Sequence, residues 1–394
     1  MLGPALVAGV AYLDPGNVAS NTTAGATYGY LLIWVVVLAN LIAWLVQYLS
    51  AKLGLVTGRS LPELLGARMR SRWARRAYWL QAELVAIATD VAEVIGGAVA
   101  LQLLFGLPLP AGGVITAVVS LALLVVQTRH GARTFEFVII GLVAIIAVGF
   151  VAGVFIAPPD AAGVASGLVP RFSDSGSVLL AASILGATVM PHAIYAHSAL
   201  TRDRFDGDTT PVRRLLRATR WDVSIAMAVA GAVNIGILLL AAANLAGVAG
   251  TASLEGAYAA IRDGIGPVVA LLFAVGLLAS GLASTAVGAY AGAEIMQGLL
   301  HTRIPLLVRR LVSILPALLL LAVGADPTRS LVLSQVVLSF GIPFALVPLV
   351  ALTARRELLG RFCNRVVTTV LGVVASLALI TLNGMLLVLV ATGH

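Results

Sequence analysis

The chain has 394 residues, of which 60% are hydrophobic and 11% are charged, and its formal net charge is +8. Soluble domains are about 45–50% apolar and about 25% charged, so this composition excludes a soluble enzyme, a disordered chain and a nucleic-acid binder. The single cysteine, Cys363, excludes a disulfide framework and a cysteine-based metal cage.

Eleven apolar runs are long enough to cross a membrane as helices, which requires about 20 residues each. In chain order they cover 3–27, 31–51, 77–104, 111–128, 136–157, 177–200, 222–246, 267–296, 305–324, 328–352 and 366–391. Runs of this length are helices rather than barrel strands, so the predicted fold class is an all-α polytopic membrane protein with 11 transmembrane helices.

The positive charges predict the orientation of these spans, because basic residues are in excess on the cytoplasmic side of membranes. Of the 25 lysine and arginine residues, 22 follow spans 2, 4, 6, 8 and 10 or begin the next span, Arg303 among them. Only Arg171, Arg262 and Arg329 fall on the opposite side. We therefore predict a protein of the inner cell membrane with a cytoplasmic N-terminus and an extracytoplasmic C-terminus. The basic charge is then a topology signal.

The first span is interrupted by the motif Asp14-Pro15-Gly16-Asn17. Proline costs about 3 kcal/mol in a helix interior and glycine about 1, so the helix should unwind at this point. A charged group in a span costs about 2.5–3.5 kcal/mol on insertion scales and usually has a function. The Asp14 carboxylate, the Asn17 amide oxygen and unwound carbonyls would together suit a cation. The alternative is a proline-kinked helix with Asp14 in a structural ion pair.

The third span carries three acids, Glu83, Asp90 and Glu93, whose spacing places them on one helical face. The ninth span begins with Arg309 and Arg310 about one turn inside its cytoplasmic end. Carboxylates with arginine partners could carry a proton from the middle of the membrane to the cytoplasm. The alternative is a static network of buried salt bridges that fixes helix packing.

The sixth span contains a second break, at Met190-Pro191-His192. A thioether is a poor ligand for Mg²⁺ or Ca²⁺ but is acceptable to softer transition metals. A lone methionine in a span usually fills the core, and its place before the proline, opposite Asp14, favours the ligand instead. His192 and His197 are each either a proton relay or a satisfied core histidine.

The two breaks lie in corresponding positions of two five-span halves, which is typical of an inverted-repeat transporter. The predicted organisation is a single transmembrane domain over 1–394. Its first repeat covers 1–157, its second covers 177–352, and an additional helix covers 366–391.

The motifs around Asp14 and Met190 resemble those of the Nramp family (natural resistance-associated macrophage proteins) of divalent-metal transporters. Bacterial proton-coupled manganese transporters are the most similar members. Segments 82–90 and 343–348 and the eleven-span layout are also similar, so the resemblance covers essentially the whole chain. Thr22 and Thr23 depart from the pattern, because some members carry an acid there.

The resemblance implies the fold of sodium-coupled amino-acid symporters, with broken helices 1 and 6 and one extra helix. The implied metal ligands are the side chains of Asp14, Asn17 and Met190, the backbone carbonyls of Ala11 and Ala187, and Gln335 in an occluded state. The implied proton route comprises Asp14, His192, Asp90, Glu93, Arg309, Arg310 and Glu83.

The expected function is proton-coupled import of Mn²⁺, Fe²⁺ and also Cd²⁺ by alternating access, in a transporter that is not an enzyme. The metal ions are substrates, and no cofactor is expected. The expected partners are divalent metal ions, protons and the lipid bilayer, with no nucleic acid, and a monomer is compatible with the sequence. The sequence lacks a GxxxxGK[ST] loop, which excludes an ATP-driven pump within this chain.

Three other functions stay open at this stage. A sodium-coupled organic-solute symporter could use the same fold, although Asp14 would repel a carboxylate substrate. An intramembrane metalloenzyme would need an HExxH-type zinc signature, which the sequence lacks. A passive ion channel would pass metal ions without saturation, whereas flux through a transporter saturates at a low rate.

Overall fold

The computed structural model describes residues 4–302 and 305–392, and within helices it leaves some side chains undescribed, mainly those of 123–140. Arg303, which was counted among the cytoplasmic charges, lies outside the described residues. Across these ranges the chain is helical with short connections and contains no strand. The predicted all-helical class is therefore confirmed for the part of the chain that is described.

Sixteen α-helices follow one another within the described residues. They are α1 (Pro4–Gly9), α2 (Pro15–Tyr28), α3 (Ile33–Thr57), α4 (Leu61–Arg68), α5 (Arg72–Phe105), α6 (Leu109–Ile156), α7 (Ala161–Gly167), α8 (Ser175–Thr188), α9 (Pro191–Arg204), α10 (Val212–Asn244), α11 (Leu254–Gly264), α12 (Pro267–Leu300), α13 (Leu306–Ala322), α14 (Pro327–Thr353), α15 (Arg356–Leu359) and α16 (Val366–Thr392). Seven membrane-span candidates are long and apolar enough to cross a bilayer among the described residues, with α8 and α9 counted as one.

Both predicted helix breaks are confirmed. A 3-10 turn, Val10–Leu13, separates α1 from α2, and Asp14 between them is extended, with φ −74° and ψ 165°. The Asp14 side chain caps α2 by accepting from the Asn17 amide, and proline follows at the first helical position, where its missing N–H costs nothing. Val189 and Met190 separate α8 from α9 in the same way, and Pro191 begins α9.

The fourth and fifth predicted spans, 111–128 and 136–157, fall within the single helix α6, whose described backbone has no break between them. The intervening segment, 129–135, contains no proline and one glycine, so little in it terminates a helix. Nevertheless, Thr116 near the start of α6 packs against Gly97 of α5, and Phe150 near its end packs against Gly276 of α12. Gly97 in turn packs against Gly281 of α12, five residues after Gly276. A straight helix would hold the two α6 contacts about 50 Å apart. Both ends of α6 therefore lie in the same half of the bundle.

The two ends of the bundle can be named from the broken helices. At the upper end, where α2 finishes and α8 begins, the Tyr28 hydroxyl donates to Asp174 Oδ1 at 2.6 Å. This bond and the amide of Ser177 hold the pKa of Asp174 below its ordinary value. At the lower end, Arg202 of α9 forms ion pairs with Glu63 of α4 at 2.9 Å and Glu294 of α12 at 3.3 Å.

Close packing between α8 and α14 predicts an effect of one glycine. A Cβ at Gly186 would overlap the backbone carbonyl of Gln335 in α14. We expect Gly186→Ala to lower the free energy of unfolding by about 1–3 kcal/mol, the usual cost of overpacking, and to impair transport. The thermal midpoint in detergent and metal uptake would measure this. Gly384→Ala is the matched control, because a Cβ there meets open space, and an unchanged midpoint for Gly186→Ala would contradict the packing.

Candidate metal centre

The two helix breaks bring Asp14, Asn17 and Ala187 into direct contact. Asp14 Oδ1 accepts from the Asn17 backbone amide at 2.7 Å and from Asn17 Nδ2 at 2.9 Å. Asn17 Nδ2 also donates to the Ala187 carbonyl at 2.8 Å, and the Thr188 hydroxyl donates to Asn17 Oδ1 at 3.3 Å. Asp14 and Asn17 are fully buried. A carboxylate, an amide and a carbonyl from two separate helices thus meet at one point.

The prolines explain why backbone carbonyls are available at this point. In a helix the carbonyl of residue i accepts from the N–H of residue i+4, and proline has no N–H. Pro15 therefore releases the Ala11 carbonyl, and Pro191 releases the Ala187 carbonyl. Both alanines are fully buried. The two carbonyls that the family resemblance implied as ligands are the two that the prolines leave without a helical donor.

Other carbonyls of the unwound segment accept hydrogen bonds from neighbouring helices. Asn234 Nδ2 of α10 donates to the Tyr12 carbonyl at 3.0 Å, and the Ser280 hydroxyl of α12 donates to the Leu13 carbonyl. These two residues were missed from the sequence. Each is a polar residue within an apolar run, which marks it in the sequence as a candidate for a buried contact. That pattern does not indicate which carbonyl the side chain contacts.

Gln335 of α14 completes the polar cluster. Its Nε2 donates to Asp14 Oδ2 at 3.2 Å, and its buried Oε1 has no hydrogen-bond partner among the described residues. Gly16 leaves space for the Gln335 side chain, because a Cβ at Gly16 would overlap it. The structure thus places Gln335 beside Asp14, in a centre whose residues are closed to solvent.

Met190 is fully buried at the residue directly before α9, three positions after Ala187. It therefore lies at the same break as the Ala187 carbonyl. No group of three or more His, Cys, Asp or Glu side chains suited to a metal ion occurs among the described residues. A cation at the breaks would accordingly rely on one carboxylate together with neutral ligands.

The predicted acid–arginine face forms two separate clusters. Arg310 pairs with Asp90 and, at 2.7 Å, with Glu93, and it also donates to Ser120 and Thr285. Arg309 pairs with Glu83 at 3.0 Å. Arg310, Asp90 and Glu93 are 2% exposed or less, so one guanidinium faces two carboxyl groups inside the bundle. This face lies beside the first break, because Gly96, three residues after Glu93, packs against Pro15.

The two candidate histidines have different surroundings. His192 Nδ1 lies 3.2 Å from the Thr89 hydroxyl, next to Asp90 in α5, and its buried Nε2 has no partner among the described residues. His197 Nδ1 contacts Gln47 Oε1 at 2.5 Å, and Gln47 also donates to the Tyr12 hydroxyl. Of the two, His192 is therefore the one that contacts the helix bearing Asp90.

A cavity of about 610 Å³ opens above the centre at the upper end. It lies between α2, α8 and α14, and its lining includes Thr23, Tyr28 and Arg329 near the mouth and Leu180 and Val332 deeper inside. Below its floor, the Ser183 hydroxyl contacts that of Ser20 at 2.6 Å. The centre is thus separated from the upper cavity by about two helical turns of each broken helix.

Two broken helices whose interruptions meet at one buried polar centre are typical of a membrane transporter fold. A likeness to MhsT, crystallised with L-phenylalanine, supports this fold, with a TM-score of 0.64 at 13% identity over 96% of this chain and 98% of that one.

The family is established by the whole chain. Residues 5–389 match the model of natural resistance-associated macrophage protein-like proteins, and the chain belongs to the Nramp family. The divalent metal cation transporter MntH of Mycobacterium tuberculosis is 61% identical over 395 residues, covering 100% of this chain and 92% of that protein. A crystal structure of the Eremococcus coleocola manganese transporter is similar with a TM-score of 0.86 and 34% identity, covering 97% of this chain and 84% of that one.

Proposed function

We propose that this protein imports Mn²⁺ and Fe²⁺, and also Cd²⁺, together with protons by alternating access. The observation that carries the proposal is the meeting of the Asp14 carboxylate, the Asn17 amide and the Ala187 carbonyl within 2.9 Å contacts at two facing helix breaks. Met190 adds a thioether at the same break, and this mixed set suits a transition metal better than Mg²⁺ or Ca²⁺. The relatives named as divalent metal cation and manganese transporters support the same substrate class.

The ligands proposed for the metal are the Asp14, Asn17 and Met190 side chains and the Ala11 and Ala187 carbonyls, with Gln335 joining when the centre is closed. In the structure Asn17 Nδ2 faces both Asp14 and Ala187, so these groups satisfy one another. Binding would turn the amide so that its oxygen faces the ion. The proposed proton route leads from Asp14 through His192, Asp90 and Glu93 to the arginine pairs, including Arg309 with Glu83.

We also infer that the chain has eleven spans, arranged as two inverted five-span repeats and one additional helix. The return of α6 to the same half of the bundle supports two spans within it, and the paired breaks support the repeat. The clustering of arginines supports a cytoplasmic lower end, with the N-terminus cytoplasmic and the C-terminus outside. An inward positive charge then gains about 2.3 kcal/mol per 100 mV of membrane potential, so import needs no ATP.

Uptake into proteoliposomes tests this function directly. We expect Mn²⁺ entry that saturates and that accelerates with an inward proton gradient but not with a sodium gradient. Acidification of the lumen during metal entry should accompany it. Dependence on sodium, or flux that does not saturate, would instead support the symporter for organic solutes or the channel.

Replacing Met190 by alanine should relax selectivity more than it lowers Mn²⁺ uptake. Mn²⁺ is content with oxygen ligands, whereas sulfur is poor at replacing water around Ca²⁺ or Mg²⁺ and so excludes them. We expect Mn²⁺ uptake by the variant to become sensitive to millimolar Ca²⁺ or Mg²⁺, and Cd²⁺ affinity to fall by about tenfold, ~1.4 kcal/mol. Competition uptake and calorimetry measure these effects.

Met296→Ala is the matched control for Met190, because Met296 is also buried but lies near the lower end of α12. Unchanged competition and unchanged Cd²⁺ affinity in Met190→Ala would show that Met190 only fills the core.

Neutralising the acids of α5 should separate proton movement from metal binding. We expect Asp90→Asn or Glu93→Gln to leave metal affinity within about twofold and to reduce coupled proton flux by about tenfold, ~1.4 kcal/mol in the barrier. A pH-sensitive dye inside proteoliposomes measures the flux. Glu294→Gln is the control, since Glu294 is paired with Arg202 at the lower end. Loss of metal binding with proton flux intact would overturn the route.

A further inference from the structure

Two more prolines release carbonyls, both inside α14. Pro343 leaves the Ser339 carbonyl without a helical donor, and Pro348 does the same for the Phe344 carbonyl. Asn383 Nδ2 of α16 donates to the Ser339 carbonyl at 2.8 Å. The Tyr78 hydroxyl of α5 donates to the Phe344 carbonyl. In each case a side chain of another helix supplies the donor that proline lacks.

The Tyr78 hydroxyl makes a second bond, to the Tyr195 hydroxyl of α9 at 2.9 Å. A hydroxyl has one hydrogen, and that of Tyr78 is used for the Phe344 carbonyl. The Tyr195 hydroxyl must therefore be the donor to Tyr78. The result is a directed chain from α9 to α5 to α14, in which both bonds share the Tyr78 oxygen.

This tyrosine chain lies between the metal centre and the lower end. Tyr195 follows Met190 by five residues in α9, and Phe344 follows Gln335 by nine residues in α14. Tyr195 is 2% exposed. Just above the chain, a Cβ at Gly341 of α14 would meet both Val85 of α5 and Pro191 of α9, so the three helices meet there.

We propose that the Tyr195–Tyr78–Phe344 chain is a latch that keeps the metal centre closed toward the cytoplasm, with Tyr78 as a positioning residue for α9 and α14. The inference rests on the proposed alternating-access transport and its orientation. α9 begins directly after Met190 and α14 carries Gln335, so a path from the centre to the lower end that runs between these helices requires them to part. Because the Tyr195 hydroxyl is the group that joins α9 to this chain, removing that hydroxyl should favour the state open to the cytoplasm.

Accessibility of introduced cysteines tests the latch without any need for metal transport. In a Cys363→Ser background, Val85→Cys reports on the three-helix junction and Leu180→Cys reports on the upper cavity. We expect Tyr195→Phe to raise labelling of the Val85 reporter in inside-out vesicles by about threefold to tenfold, the worth of one hydrogen bond. Labelling of the Leu180 reporter from the opposite side should fall.

Tyr48→Phe is the matched control, since the Tyr48 hydroxyl makes no hydrogen bond among the described residues, and it should leave both reporters unchanged. Unchanged labelling of the Val85 reporter in Tyr195→Phe would overturn the latch. The metal centre would be unaffected by that result, because Asp14→Ala tests it separately.

A second substitution, Pro348→Ala, distinguishes the latch role of Tyr78 from a purely stabilising role. Tyr78→Phe should lower the thermal midpoint, because the Phe344 carbonyl loses its donor, and should raise labelling of the Val85 reporter. Adding Pro348→Ala restores a helical N–H to that carbonyl, so the midpoint should recover while labelling stays high, since Tyr195 still lacks its acceptor. Pro343→Ala restores a helical N–H to the Ser339 carbonyl instead, so it should not restore the thermal midpoint. If Pro348→Ala reverses the labelling as well, Tyr78 has a structural role only.

Discussion

Asp14→Ala is expected to abolish both metal uptake and metal binding. Asp14 is the carboxylate at the two helix breaks, and its oxygens accept from Asn17 and Gln335. Without it, a divalent ion would leave water for neutral ligands only, which is strongly unfavourable in a buried site. We expect affinity to fall by at least about 100-fold, ~2.7 kcal/mol. Calorimetry with Mn²⁺ and uptake in proteoliposomes measure the two losses.

Asp14→Asn and Asp174→Asn make this result specific. The first keeps the size of the Asp14 side chain and removes its charge, so it should also fail to bind metal. The second removes an exposed carboxylate at the upper end and should retain binding. Wild-type uptake by Asp14→Ala would disprove the whole site assignment.

Arg310→Leu is expected to cause the largest loss of stability. Arg310 is 1% exposed and forms ion pairs with two buried acids, Asp90 and Glu93. Removing one side of a buried ion pair costs about 3–5 kcal/mol, because the remaining charge has no partner. We therefore expect a variant with a much lower thermal midpoint, poor recovery from membranes and no coupled transport. Detergent stability assays and size-exclusion profiles measure the effect.

Arg309→Leu is the companion variant, since Arg309 serves one acid, Glu83, which is also less deeply buried. It should be less destabilised than Arg310→Leu. The triple variant that replaces Arg310 by leucine and neutralises both acids should recover much of the stability but not the proton flux. An Arg310→Leu protein as stable as the wild type would show that the acids are neutral or otherwise paired.

The helix breaks and the acid–arginine pairs could be predicted from the sequence because they leave strong local marks. Proline and glycine beside Asp14 interrupt an otherwise apolar run, and ionisable residues in a span are rare enough to suggest partners. The spacing of Glu83, Asp90 and Glu93 fixed a shared face. The spacing did not show which acid pairs with which arginine. In the structure Asp90 and Glu93 pair with Arg310, and Glu83 pairs with Arg309.

The contacts made by Asn234 and Ser280 could not be predicted, because they depend on how three helices cross. Each side chain reaches a single carbonyl of the unwound segment from a different neighbour. No periodicity in one sequence encodes such a meeting. Two spans within α6 were predicted from the charges and the lengths of the apolar runs, whereas the local residues favour continued helix.

The origin of the Ala11 and Ala187 carbonyls has a consequence for how this metal centre is inherited. Neither alanine contributes a functional group of its own, and each carbonyl is made available by a proline four residues later. If these carbonyls bind the metal as proposed, the coordination chemistry at these two positions is encoded away from the coordinating residue. Substitution at Ala11 or Ala187 would then be limited by packing volume, whereas Pro15 and Pro191 leave the carbonyls without a helical donor. Comparing side chains at the contact positions would overlook half of what specifies the site.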